Sequence, residues 1–238
     1  TKAIEIVENL IEYDFEKLDR RLPRYVNVGW LIRARMFDDT IRRFTAEHPK
    51  ATIVNLGAGL DTTFFRVDNG MIEWYDLDLP DVIEIRRKIL PEKSRMKYIA
   101  TSLMDTTWMR EIKNFRNGIL FFAGGVLCYF EETEIRNLFS RLADRFPEGE
   151  IAFDTISKIS LLVANQRVKD LGMGAVSLKW GIDNAETIAK WDPRITILED
   201  YPSCSRIENR NYWGEEIVTA MDFSDKNKRT SIVHLTFL

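Results

Sequence analysis

The chain has 238 residues, 45% of them apolar and 30% charged, with a formal net charge of −3. That length allows one large α/β domain with a substantial core. The charge balance argues against a nucleic-acid binder, despite a small basic cluster at Arg20, Arg21 and Arg24. Two cysteines, Cys128 and Cys204, with no Cys/His cluster, exclude a disulfide framework and a zinc signature; no metal is expected, and the usage fits a reducing cytoplasm. No apolar run approaches the ~20 residues of a membrane helix. The longest, Gly118 to Phe130, is short and holds three glycines, so no membrane partner is expected.

In chain order, Ile4, Val7, Leu10, Ile11 and Phe15 fall at helical spacing and predict a helix over Lys2 to Lys17. Ile32, Met36, Ile41 and Phe44 predict a second over Trp30 to Glu47, ended by Pro49. The period then changes. Ala51 to Leu56 is short, apolar and β-branched, a buried strand running into Gly57-Ala58-Gly59, and Asp61, Thr62 and Thr63 can cap a short helix after it.

Ile72 to Asp78 is the second strand, followed by a helix from Asp81 to Leu90 that Pro91 closes. Lys97 to Leu103 is the third strand, Trp108 to Phe115 a short helix, and Gly118 to Leu127 a continuous apolar strand of the kind covered on both faces. A helix over Glu131 to Phe146 and a strand over Glu150 to Ile156 complete the alternation. Strands and helices in this rhythm imply βαβ units and a mostly parallel sheet.

After Thr155 the rhythm breaks. Ser157 to Leu171 has a helical pattern, and Gly172 to Pro193 is mixed and too long for a plain connection. The expected division is N-terminal helices over 1–50, a cofactor-binding core over 51–156, an acceptor cap over 157–194 and C-terminal strands over 195–238, with strands at Ile195 to Leu198 and Ser231 to Leu238. Met173, Trp180 and Trp191 of the cap could line an apolar pocket or form a core beneath it.

The strongest local signal is Asn55-Leu56-Gly57-Ala58-Gly59-Leu60-Asp61-Thr62. Glycines there permit a sharp turn and a close ligand approach, although a plain strand–helix turn has the same look. About twenty residues on, Asp78 ends the second strand, where a carboxylate can accept hydrogen bonds from both hydroxyls of an adenosine ribose. Asp78 could instead cap the helix after Leu79-Pro80, and Asp76 is a rival two residues earlier. Adenosine is common to nicotinamide cofactors and S-adenosylmethionine. A pyrophosphate wants a third glycine and an open helix N-terminus. Here Asp61 and Thr62 stand in that place, and a carboxylate repels a pyrophosphate, which favours methyl transfer over a nicotinamide-dependent oxidoreductase.

The segments Asn55 to Thr63, Tyr75-Asp76-Leu77-Asp78-Leu79-Pro80 and Ala123-Gly124-Gly125-Val126-Leu127-Cys128-Tyr129 resemble three signatures of the leucine carboxyl methyltransferase superfamily, in the branch related to the tetracenomycin polyketide O-methyltransferase. The resemblance runs from Gly29 to Asp154. It implies a class I methyltransferase fold: a Rossmann-like, mostly parallel seven-stranded sheet whose last strand is antiparallel. It also implies S-adenosylmethionine as cofactor, S-adenosylhomocysteine as product and a small-molecule acceptor.

Carried over by motif, Arg33 of Gly29-Trp30-Leu31-Ile32-Arg33 pairs with the methionine carboxylate, with Arg35 as a near alternative. Gly57 and Gly59 face the methionine moiety, and Asp78, with Leu79 beside it, takes the ribose. Ser102 and Leu103 stand near the adenine in place of the family's Asp-Leu, and Gly124 replaces a glutamate that would partner the cofactor's amino group. Those departures weaken protein-carboxylate methylation in particular and leave room for a non-catalytic binding module. No catalytic base stands out. His48 and His234 have structural settings, and Asp154, Tyr129 and Tyr201 are the remaining candidates. The chain opens at Thr1 without an initiator Met, from which an additional N-terminal segment that closes the site is expected.

Overall fold

The computed structural model describes residues 2–9, 23–170, 172 and 177–238. Helix α1 (Lys2–Asn9) leads, and the rest of the helix expected to reach Lys17 lies outside the described residues. Helix α2 (Arg24–Glu47) starts six residues earlier than its apolar pattern alone suggests, directly after Pro23. Proline fixes its own φ and suits the position just before a helix. Val28, Ile32, Met36, Phe37, Ile41 and Phe44 make the buried stripe of α2.

Seven strands form one sheet in the order β3-β2-β1-β4-β5-β7-β6. They are β1 (Thr52–Leu56), β2 (Glu73–Asp78), β3 (Met96–Ala100), β4 (Ile119–Ala123), β5 (Glu150–Ile156), β6 (Ile195–Pro202) and β7 (Thr230–Phe237). The first five pair in parallel, and β7 runs antiparallel to both β5 and β6. The expected class I methyltransferase sheet is therefore present, antiparallel last strand included.

Helices α3 (Phe64–Val67), α4 (Pro80–Ile89), α5 (Glu132–Arg145), α6 (Lys158–Asp170), α7 (Glu186–Ala189) and α8 (Glu215–Lys226) connect the strands. Two apolar clusters fill the two faces of the sheet. One joins Phe121, Phe139, Phe146 and Phe153 with α5, and the other sets Ile53, Trp74 and Phe122 against α2 and α8. Such cores are packed as densely as organic crystals, which holds the strand ends in fixed relative positions.

Several boundaries differ from the sequence expectations. The apolar run from Gly118 to Leu127 is strand only over Ile119–Ala123. Gly125, at φ +72, turns the chain out of the sheet, and Leu127–Tyr129 is a 3-10 turn. The third strand stops at Ala100, and the helix expected over Trp108 to Phe115 is two 3-10 turns, Thr106–Arg110 and Phe115–Asn117. Strand β6 runs on past Leu198 to Pro202 through an irregularity between Ile197 and Glu199. Helix α8 carries only Ile217 and Met221 as buried residues, too sparse a period to stand out in the sequence.

Of the three large residues considered for an acceptor pocket, Trp180 lies in the core and Trp191 packs half-buried against it. Trp180 is buried, with ring centroids 6.0 Å from Phe153 and 6.2 Å from Trp191, and Trp191 packs at 6.0 Å from Phe139. Met173 lies outside the described residues. The backbone of Lys179 and Trp180 is pinned to the Cys128 carbonyl at 2.7 and 3.2 Å, so this stretch closes over the sheet. Replacing Trp180 by Ala is expected to lower unfolding free energy by about 3–5 kcal/mol, the cost of emptying a large aromatic site. Urea denaturation checks it, and a loss under about 1 kcal/mol would mean the ring lines an open cleft instead.

Candidate functional site

The strand order reverses at β1, whose neighbours β2 and β4 leave it in opposite directions along the sheet. In open parallel sheets, ligands bind at the carboxyl ends of the strands beside such a reversal. Leu56, Asp78, Ala123 and Ile156 end the strands that border this crevice; Gly57, Gly59, Asp78, Leu79 and Gly124 lie at or just after those ends, Ser102 and Leu103 follow β3, and Arg33 lies on α2. A separate concavity of about 730 Å³ lies at the opposite end of the sheet, lined by Phe44, His48, Lys50, Arg116 and Glu148 among others. Its acidic and basic groups are mixed and include none of the motif residues.

The glycine turn is built by backbone geometry. Gly57 has φ +75, and a Cβ there would lie 2.6 Å from the Val126 Cγ2 atom, so no other residue fits without a shift. Gly59 has φ +47 and differs in kind: a Cβ added to it would meet nothing within 4 Å. Its missing side chain leaves open space. Gly57 and Ala58 both donate to the Leu77 carbonyl, at 2.8 and 3.0 Å, which seats the turn on the end of β2.

Asp78 grips the same turn. One carboxylate oxygen accepts from the Gly59 amide and the other from the Leu79 amide, each at 2.7 Å. The residue stays half-buried at the strand end, and each oxygen keeps a second lone pair for a hydroxyl. Asp76 is in a different situation. It is fully buried and accepts from Arg86 at 2.7 Å, Trp74 Nε1 at 2.8 Å and Asn55 Nδ2 at 3.1 Å. Burial pushes its carboxyl upward in pKa, while Arg86 and the Trp74 indole pull it back. The rival acid is thus a buried ion-pair partner of Arg86, and Asp78 is the half-buried acid at the end of β2.

Asp61 closes the start of α3. It accepts from the Thr63 amide at 3.0 Å, the Thr63 hydroxyl at 2.9 Å and Asn55 Nδ2 at 3.2 Å. Helix-start amides are what a pyrophosphate would need, and here one is already given to a carboxylate. Arg66 then ties α3 to α2, donating to both oxygens of Asp38 at 2.7 and 2.9 Å and to the Thr62 and Thr63 hydroxyls at 2.8 and 2.7 Å.

On the far side of β1, Arg33 reaches from α2 to the end of β5. Its Nη1 donates to Asp154 Oδ2 at 3.1 Å, while Asp154 Oδ1 accepts from the Gly125 amide at 2.5 Å. A Cβ on Gly125 would lie 2.5 Å from Arg33 Nη1, so that glycine makes room for the guanidinium. Gly124 lies beside Phe37, whose ring a Cβ would approach to 3.1 Å. Arg35 points away, mostly exposed and paired with Asp39 at 2.8 Å. Ser102 accepts from the Met104 amide at 3.3 Å, and Leu103 is buried in the core with its carbonyl taken by Trp108 Nε1 at 3.1 Å.

The remaining base candidates differ in placement, with Tyr129 43% exposed on the 3-10 turn after β4, near Arg33 and Asp154. Tyr201 is buried under a stacked Arg206 guanidinium 3.5 Å from its ring, on edge strand β6. His48 packs on Phe44 at the end of α2, and His234 contacts Glu150 at 2.7 Å inside β7. Burial raises the Tyr129 hydroxyl in pKa. Sequence reasoning missed Arg86, Asp38, Arg66 and Gly125; arginines on amphipathic helices carry no sign of which way they fold in. Burial, and after it the Asp154 charge, pushes the Cys128 thiol up to about 12, and burial pushes Cys204 to about 11. Both should stay protonated at about pH 8, where a free thiol of pKa about 8.5 would begin to ionise. A disulfide reagent is expected to label the native protein slowly and the urea-unfolded chain rapidly; fast native labelling of Cys128 would contradict that environment.

Residues 3–143 match the leucine carboxyl methyltransferase family. The chain is 29% identical over 197 residues to the tetracenomycin polyketide synthesis O-methyltransferase TcmP of Streptomyces glaucescens, across 80% of this chain and 70% of that protein. It is 27% identical over 212 residues to the S-adenosyl-L-methionine-dependent methyltransferase dpfgK of Gibberella zeae, across 79% and 70%. Its fold superposes with a TM-score of 0.60 on an S-adenosylmethionine-dependent methyltransferase from Mesorhizobium loti, at 16% identity, over 83% of this chain and 96% of that one. The chain belongs to the leucine carboxyl methyltransferase family and is a methyltransferase that uses S-adenosylmethionine.

Proposed function

We propose that this enzyme methylates oxygen on a small-molecule acceptor that arrives already ionised, as a carboxylate or an acidic hydroxyl. One observation carries the choice: the acids around the crevice are all committed. Asp61 is held by Thr63 and Asn55, Asp78 by two backbone amides, and Asp154 by Arg33 and Gly125. The Cys128 thiol is kept neutral. An anionic oxygen needs no proton removed, and orientation alone can then supply most of the acceleration. TcmP, named as an O-methyltransferase of polyketide synthesis, supports oxygen as the nucleophile and a polyketide-like acceptor. The free thiols Cys128 and Cys204 support a reducing, cytoplasmic setting.

The residues present suit the cofactor. The open space at Gly59 admits a ligand against the turn, the outward lone pairs of Asp78 can take the ribose hydroxyls, and the Arg33 fork can take a carboxylate. Asp154 orients that fork and balances its charge, so Arg33 is held ready rather than swinging in solvent. Ser102 and Leu79 remain candidates for the adenine side, whereas Leu103 is buried in the core and Gly57 and Gly124 make room for the Val126 and Phe37 side chains. Bound there, S-adenosylmethionine would supply an activated methyl group for transfer from sulfur to the acceptor oxygen.

Asp78→Ala is expected to weaken S-adenosylhomocysteine binding by about 1.5–3 kcal/mol for each charge-assisted hydrogen bond lost, read by calorimetry. Unchanged affinity would remove Asp78 from the ribose. The acceptor class is tested with methyl-labelled cofactor against a panel of small carboxylic acids, phenols, amines and thiols. Label in alkali-labile esters or in aryl ethers supports the proposal; label confined to nitrogen or sulfur acceptors would overturn it.

A further inference from the structure

Arg86 lies on α4 with 1% of its side chain exposed, against an Asp76 side chain that is 0% exposed. Its Nη2 donates to Asp76 Oδ2 at 2.7 Å and its Nη1 to the Gly59 carbonyl at 2.9 Å. The guanidinium carbon also lies 5.2 Å from the centre of the Tyr98 ring. Stability alone is a weak reason for such a pair. Two charges withdrawn from water cost about as much as their attraction returns, and apolar pairs of similar volume often serve as well. Arg86 Nε even goes without a hydrogen-bond partner.

Its placement has a consequence that an apolar pair could not supply. The Gly59 amide is held by Asp78 and the Gly59 carbonyl by Arg86. The residue is therefore fixed on both sides at a left-handed φ that glycine, with its wide conformational freedom, would otherwise leave loosely. Asp76, held in turn by Trp74 and Asn55, aims the fork. We propose that Arg86 is a positioning residue for cofactor binding: acting through Gly59, it presets the turn on which S-adenosylmethionine rests, and its buried pairing with Asp76 serves that placement. The inference rests on the assignment of Gly59 and Asp78 to the cofactor.

The test separates binding from folding. Arg86→Lys keeps a cation against Asp76 but has no fork to serve Gly59 as well. The double variant Arg86→Met with Asp76→Asn removes both charges together and leaves neither uncompensated. S-adenosylhomocysteine affinity is measured by calorimetry, the melting temperature without ligand by thermal scan, and the Gly57–Asp61 amides by hydrogen exchange. For Arg86→Lys the expected result is affinity weakened about tenfold or more, as befits loss of a hydrogen bond from a charged group. Its melting point should stay within about 3 °C of wild type. Exchange should quicken in the turn but not in β1 or β4. Affinity retained in either folded variant would overturn the proposal, whatever the melting point; so would failure of both to fold, which assigns the pair to stability. Asp78→Ala run alongside isolates the underlying reading: if it binds normally the turn is not the cofactor site, whereas if it alone binds weakly only the role of Arg86 fails.

Discussion

The hydrogen bond from the Gly59 amide to the Asp78 carboxylate, 2.7 Å long, joins the ends of the two neighbouring strands at which the chain leaves the sheet. It adds to the Gly57 and Ala58 amides on the Leu77 carbonyl and to Arg86 on the Gly59 carbonyl in holding a segment with two glycines at positive φ. With it, the turn after β1 and the acid after β2 become one unit whose shape is set before any ligand arrives. The parallel register of Leu56 against Leu77 makes the contact possible, by bringing both strands to an end at the same height. That register is in turn fixed by the apolar clusters on both faces of the sheet.

Around this unit the charges are arranged in pairs. Arg86 and Asp76 lie beneath it, Arg66 and Asp38 secure the helix after it, and Arg33 and Asp154 face it across the crevice. Each of these acids accepts hydrogen bonds from groups within the protein. Preorganised groups lose little entropy when a ligand binds, and that saving appears as affinity.

Much of this was legible in the sequence because it depends on local chemistry. A β-branched run followed by Gly57-Ala58-Gly59 can only be a strand and a tight turn, and the alternation of strands and helices through Ile156 dictates a parallel sheet. The place of Asp78 at the strand's end was legible, and the buried ion pair of Asp76 with Arg86 was not. The Gly118 to Leu127 run was read too long because its composition stays apolar through the Gly125 turn, where conformation rather than hydropathy ends the strand. Trp180 and Trp191 were ambiguous because large apolar side chains look alike in a pocket and in a core. The long-range ion pairs could not be read at all: Arg33 and Asp154 are 121 residues apart, and only the closed sheet shows that they meet.

The central claim is that the two ends of the cofactor are recognised by separate groups, the nucleoside by Asp78 and the amino-acid carboxylate by Arg33. The most direct measurement is a calorimetric titration of Arg33→Met with S-adenosylhomocysteine and with methylthioadenosine, which keeps the nucleoside and sulfur but has no carboxylate. The account predicts affinity for S-adenosylhomocysteine lowered about tenfold or more, from loss of a charge-assisted bidentate contact, with methylthioadenosine bound as by the unaltered protein. An equal loss for both ligands, or none for either, would contradict it.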